Sequence, residues 1–149
     1  MRNGRRLFAI ALAAGALLAV PESALATARL SGGGTADISQ VAMTVAVADS
    51  GTASGSFLCL MAGRSAFALA PFGLEHVMAV RVTPTSGSIS GSVVTFSGPG
   101  GLILDGRQKV DVEVVVWVDV ATQTFQLTVV DVAALPVESL LTGQFSLRK

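Results

Sequence analysis

The sequence contains no tyrosine and only one tryptophan (Trp117), one cysteine (Cys59) and one histidine (His76). Each scarcity excludes something. A single cysteine cannot form an internal disulfide, so the domain must stand on packing and strand pairing. A metal centre or a Ser-His-Asp hydrolase would have to use His76, with Glu75, Asp105 or a serine in support. That histidine shares an apolar alternation with Leu74, Met78 and Val80, where a core or rim position is the ordinary outcome. No motif brings converging partners to it. Without aromatic girdles the chain does not read as an outer-membrane barrel. Without several aromatic platforms it does not read as a carbohydrate-binding module. Charged residues make up 13% of the chain, and past the first six residues no basic run exists to meet nucleic acid or anionic lipid. A hydrophobic content of 51% argues against disorder.

The first 26 residues read as an export signal. Arg2, Arg5 and Arg6 precede an apolar run over residues 7–20, which is short for a membrane span, and Pro21 ends it. Ala24-Leu25-Ala26 supplies small residues at the positions a signal peptidase reads, so cleavage is expected after Ala26. Arg5-Arg6-Leu7-Phe8 resembles part of a twin-arginine signal, but paired arginines also occur in general secretory signals, and both routes stay open. Either exports the chain to the periplasm or the medium, with no stable membrane insertion after cleavage. The remaining 123 of 149 residues carry seven basic and nine acidic side chains, and suit one domain over residues 35–149 behind a flexible lead-in at 27–34.

What the chain has in abundance is alternation. Residues 110–130, VDVEVVVWVDVATQTFQLTVV, read as two strands and a turn. Side chains repeat every two residues in a strand, so Val110, Val112, Val114, Val116, Val118 and Val120 share one face. The other face carries Asp111, Glu113, Val115, Trp117 and Asp119, polar at its ends and apolar in the middle. Something must partly cover that middle, and Val115, Trp117 and Val130 are the candidate interaction face. In the returning strand Phe125, Leu127 and Val129 must meet the valines, because a one-residue slip would bring Gln126 and Thr128 to them instead. The pairing expected is Val120 with Phe125, Val118 with Leu127 and Val116 with Val129, around a four-residue loop at 121–124.

Elsewhere residues 38–48 and 53–61 alternate around a turn at Asp49-Ser50-Gly51. A segment at 62–73 fits a helical turn or an edge strand. Strands are expected at 74–83, 88–97 and 102–104, separated by a turn at 84–87 and a break at Ser97-Gly98-Pro99-Gly100-Gly101. A last strand is expected at 137–147, with Leu141, Phe145 and Leu147 on one face. The glycine-rich break lacks the lysine and helix of a phosphate loop. Cys59, between two leucines, reads as a small buried apolar residue. Asp111, Glu113 and Asp119 point the same way without converging on an ion, and read as a solvated face. The sum is an all-β fold of about eight to nine strands, an antiparallel sandwich or alternatively a small closed barrel.

The pieces Gly32-Gly33-Gly34, Val94-Thr95-Phe96-Ser97-Gly98, Gln123-Thr124-Phe125 and Leu141-Thr142-Gly143-Gln144-Phe145 carry a resemblance. They resemble a group of small secreted bacterial all-β domains of uncharacterised function, in which an aspartate is usual where Gln123 stands. The resemblance implies a fold and a secreted location, and no activity. The function expected is that of a non-enzymatic exported domain acting through protein contacts, either self-association or display at the cell surface, without a cofactor. The alternative is a binder of an apolar small molecule or lipid, with a pocket lined by Met43, Met61, Met78, Phe57 and Phe67.

Overall fold

The computed structural model describes residues 26–61, 77–106 and 108–149. His76, Glu75, Phe67 and the segment expected at 62–73 lie outside the described residues. Within them the chain is all-β and antiparallel, as the alternation predicts, and contains no helix. The strands are β1 (Ala26–Thr35), β2 (Gln40–Ala48), β3 (Ala53–Met61), β4 (Met78–Val82), β5 (Ser86–Ser90), β6 (Val93–Leu104), β7 (Gln108–Asp119), β8 (Thr124–Val129), β9 (Ala133–Ala134), β10 (Glu138–Ser139) and β11 (Gln144–Arg148).

All of them belong to one sheet, ordered β10-β8-β7-β6-β4-β3-β2-β1-β11, with β5 on β6 and β9 on β8. The sheet curls strongly into a half-barrel. The layers that a sandwich would build from two sheets are therefore two halves of one continuous ladder, as in a barrel. The concave face holds a single core that includes Leu30, Val45, Cys59, Met61, Val80, Phe96, Val116, Phe125, Leu135 and Phe145. Two edge-to-face aromatic pairs tie it together: Phe57 with Phe96 at 5.8 Å and Phe125 with Phe145 at 5.9 Å between ring centroids.

β4 and β5 fill one slot. Both pair with the same edge of the long β6, β4 along Gly100–Leu104 and β5 along Val93–Ser97. On their other side β4 pairs with β3, while β5 bridges the turn before β3 through Thr52 and Ser86. Between them the ladder continues through Thr83 N–H to Pro99 C=O and Thr85 N–H to Ser97 C=O. Pro84 and Pro99 both sit at this handover, where their missing N–H groups interrupt only one junction. The expected turn at 84–87 is thus extended chain, and the expected break at 97–101 is the middle of β6. Turn-forming residues do not break this strand because β7 holds it along its whole length, from Val93 opposite Asp119 to Leu104 opposite Gln108.

The lead-in expected at 27–34 is the ten-residue β1, which lies between β2 and β11. Its glycines are there for their lack of a side chain. Gly32 and Gly33 have φ of 139° and 154°, and a Cβ would drive into the Gln144 carbonyl from Gly32 and the Val41 carbonyl from Gly33. The two contacts lie on opposite neighbours, so β1 is squeezed from both sides.

Candidate interaction face

On β7, Val114, Val116 and Val118 are fully buried, as the alternation predicts. The valine face runs out before the strand does. Val112 and Val120 only pack against the core's margin, and Val110 is exposed, because β8 pairs with β7 only from Val114 to Asp119. The pairing with β8 keeps the expected faces but is shifted: Val118 meets Phe125, Val116 meets Leu127 and Val114 meets Val129. The loop is four residues long but covers 120–123, one residue earlier than expected. Asp119 sets this position. Its carboxylate accepts hydrogen bonds from the Ser92 hydroxyl at 2.8 Å, the Ala121 N–H at 3.0 Å and the Thr122 hydroxyl at 3.0 Å. The Ser92 bond, with the Ala121 amide second, holds the Asp119 carboxyl below its ordinary range.

The outer side of the same ladder carries the candidate face. Thr95 lies opposite Trp117 from β6, and Gln126 lies opposite it from β8. Val115 faces Thr128, and Val130 continues the register by donating its N–H to the Glu113 carbonyl at 2.9 Å. Val115, Trp117 and Val130 therefore share one outward face, with Val130 exposed and the other two half-buried. Val115 and Trp117 line a groove of about 370 Å³ with Gln126, Thr128 and Val137. Val137 is the member the sequence did not reveal. It arrives on the connection after β9, where the Leu135 N–H bonds the Leu127 carbonyl and the Gln126 side chain donates to the Leu135 carbonyl.

Asp111 and Glu113 are exposed at the polar end of this face, and Asp111 pairs with Lys109 at 3.1 Å. That pair borders a second, larger groove of about 950 Å³, floored by the small residues Ala42, Thr44, Ser56 and Gly101 and flanked by Arg81. Among the described residues no group of three or more His, Cys, Asp or Glu side chains could hold a metal ion.

The seam between the two ends of the sheet is closed by side chains. β10 pairs with β8 through Glu138 opposite Phe125, and Leu140 then bridges Ala36 and donates to the Gln123 carbonyl. Gln123, in the left-handed region at φ 58°, completes the junction. Its amide oxygen accepts the Phe145 N–H at 2.7 Å and its amide nitrogen donates to the Phe145 carbonyl at 3.1 Å. The side chain thus does for β11 what a neighbouring strand residue would do. An aspartate here would be too short to make these two bonds, and its carboxylate has no N–H to donate.

Beneath the seam, Glu138 is 1% exposed. Its carboxylate accepts from the Ser39 hydroxyl at 2.9 Å and from the Ile38 N–H at 3.0 Å. Burial pushes the neighbouring Cys59 thiol up to about 12; a hydrogen bond with Ser39 opposes this and the Glu138 charge adds to it. The thiol is fully buried and protonated at neutral pH, so it behaves as a small apolar side chain. Met43, Met61, Met78 and Phe57, the expected pocket residues that fall within the described chain, are packed into the common core.

No family model, no curated protein and no solved structure matches this chain.

Proposed function

We propose that this chain is an exported, non-enzymatic β-domain that acts through protein contacts made on the outer face of β7 and β8. The observation that carries the reading is the half-buried Trp117, set with Val115 and Val137 in a groove rimmed by Gln126 and Thr128. An aromatic anchor in an apolar patch with a polar rim is the usual anatomy of an energetically important protein contact. Self-association is the form that needs no further component. The secreted location follows from the basic, apolar and small-residue order of the first 26 residues, and the resemblance to small secreted bacterial β-domains supports it. The binding of an apolar ligand ranks behind, since Met43, Met61, Met78 and Phe57 have the core to fill.

Trp117 is the chain's only tryptophan, so its fluorescence reports this face alone. Sedimentation of the chain lacking residues 1–26 is expected to show a concentration-dependent assembly, with Trp117 emission shifting to the blue as it forms. Trp117→Ser is expected to abolish that assembly. A protein that stays monomeric, with Trp117 equally open to a soluble quencher at every concentration, overturns the self-association reading.

A further inference from the structure

We propose that the C-terminal segment 142–149 is an exchangeable strap whose partner is a second copy of this chain, each copy laying its β11 on the β1 of the other. The proposal goes beyond the contact at the Trp117 face and is independent of it.

Four observations carry it. The first is how β11 is held. Its ladder is with β1 alone, and across the seam β11 has no strand pairing among the described residues: Phe145 meets the side-chain amide of Gln123 and the ring of Phe125. The second is the charge at the strap's end. Arg29 lies directly opposite Arg148, both exposed, with Lys149 following and no acidic side chain paired to any of them among the described residues. Like charges facing each other across a ladder weaken it. The third is the connection. Residues 140–143 are all that link β10 to β11, and Gly143 turns there at φ 85° against Gly33. Short, constrained hinges invite exchange.

The fourth observation selects the partner. The hinge exposes a large apolar residue, Leu141, at 65%. When two copies exchange their straps, the two hinges lie side by side and cover it. Every other contact is the same as within one chain, so exchange needs no new complementary surface. Phe145 is fully buried, so exchange must pass through an opened seam. The dimer is therefore set by the concentration at which the chain folds, and interconverts slowly afterwards.

The experiment uses the chain lacking residues 1–26, with Ser31→Cys and Ser146→Cys. These residues face each other on β1 and β11, outside the core, while Cys59 is buried. After refolding at low and at high concentration, the two thiols are joined by a short crosslinker and the products are run under denaturing conditions. A dimer fraction joined chain to chain, and a monomer fraction joined internally, are expected. Two outcomes overturn the exchange: a dimer whose crosslinks are all internal, or no dimer at either concentration. The first of these leaves contact at the Trp117 face standing, and Trp117→Ser separates the cases, since it dissolves a face-to-face dimer and spares an exchanged one. As a second variant, Gly-Ser-Gly inserted between Leu141 and Thr142 lets the strap fold back on its own chain and is expected to convert dimer to monomer. A dimer fraction unchanged by that insertion also overturns the exchange.

Discussion

The wall built from β6, β7 and β8 and the seam between β8 and β11 close the same curled sheet by different means. In the wall, β6 and β7 pair over twelve consecutive positions, and the pairing continues into β8 without a bulge. Its inward residues are valine, leucine and phenylalanine, and alternation alone keeps them in register. At the seam, backbone pairing shrinks to Glu138 and Ser139 on β8 and a single bridge at Leu140. The rest is carried by Gln123, Glu138, Ser39 and the ring pair of Phe125 and Phe145. A ladder spreads its stabilisation over many small contributions, so one substitution removes little. A side-chain seam concentrates it, and each member counts for more.

The largest effect falls where β1, which carries β11 to the seam, is squeezed between its neighbours. Gly33→Val forces a side chain into the Val41 carbonyl and a φ of 154° on a β-branched residue. The loss is expected to be about 3 kcal/mol or more, enough to unfold a marginal domain, and thermal denaturation measures it. A Gly33→Val protein that melts with the parent would show that β1 and β2 can move apart at no cost.

Next comes the buried carboxylate. Glu138→Ala leaves the Ser39 hydroxyl and the Ile38 N–H without their acceptor, which costs about 2–3 kcal/mol by denaturant titration. Glu138→Gln keeps one acceptor oxygen and is expected to lose less. Equal losses would mean that volume rather than hydrogen bonding matters at this site.

Cys59 reports its own burial through pH. Its thiol is held up at about 12 from an ordinary 9.0, so between those values the unfolded chain releases a proton that the folded chain keeps. Stability is therefore full below pH 9 and falls as pH rises toward 12, at up to about 1.4 kcal/mol per pH unit. Cys59→Ala is expected to flatten that alkaline fall, measured as denaturation midpoint against pH.

The smallest effect sharpens the comparison most. Gln123→Ala removes both hydrogen bonds to Phe145 and is expected to cost about 1–2 kcal/mol. Its local signature is faster amide exchange at Phe145 with no change at Val116, deep in the wall. Gln123→Gly relieves the left-handed backbone as well; if it proves as stable as the parent, strain rather than the latch defines the seam.

Much of the wall was legible in the sequence. The buried faces of β2, β3, β7 and β8 follow from alternation, and the parity argument gave the correct faces and an even loop. The register was one residue out on each strand, because Asp119 anchors the loop through Ser92, which lies 27 positions away. The outward placement of Val115, Trp117 and Val130 was legible too, while Val137 was not, since it comes from an irregular connection. Reading glycine and proline as punctuation misplaced three elements: Gly32–Gly34 lie within strand β1, 84–87 is extended chain, and 97–101 is the middle of β6. The opposite error joined what is separate: the strand expected at 88–97 contains the turn between β5 and β6, and the one expected at 137–147 divides into β10 and β11, with Leu141 turned outward between them. Glycine signals both a turn and a strand pressed by its neighbours, and only the neighbours distinguish the two.

By itself the sequence determined the class of fold and the two faces of β2, β3, β7 and β8. Those are local properties: a period of two and a supply of β-branched residues act within a few residues of chain. Tertiary structure alone decided the closure. Glu138 reaches Ile38 across 100 positions, and Gln123 reaches Phe145 across 22. A polar side chain that bonds a distant backbone leaves no periodic trace, because its partner is chosen by how the sheet curls and not by what stands beside it in the chain.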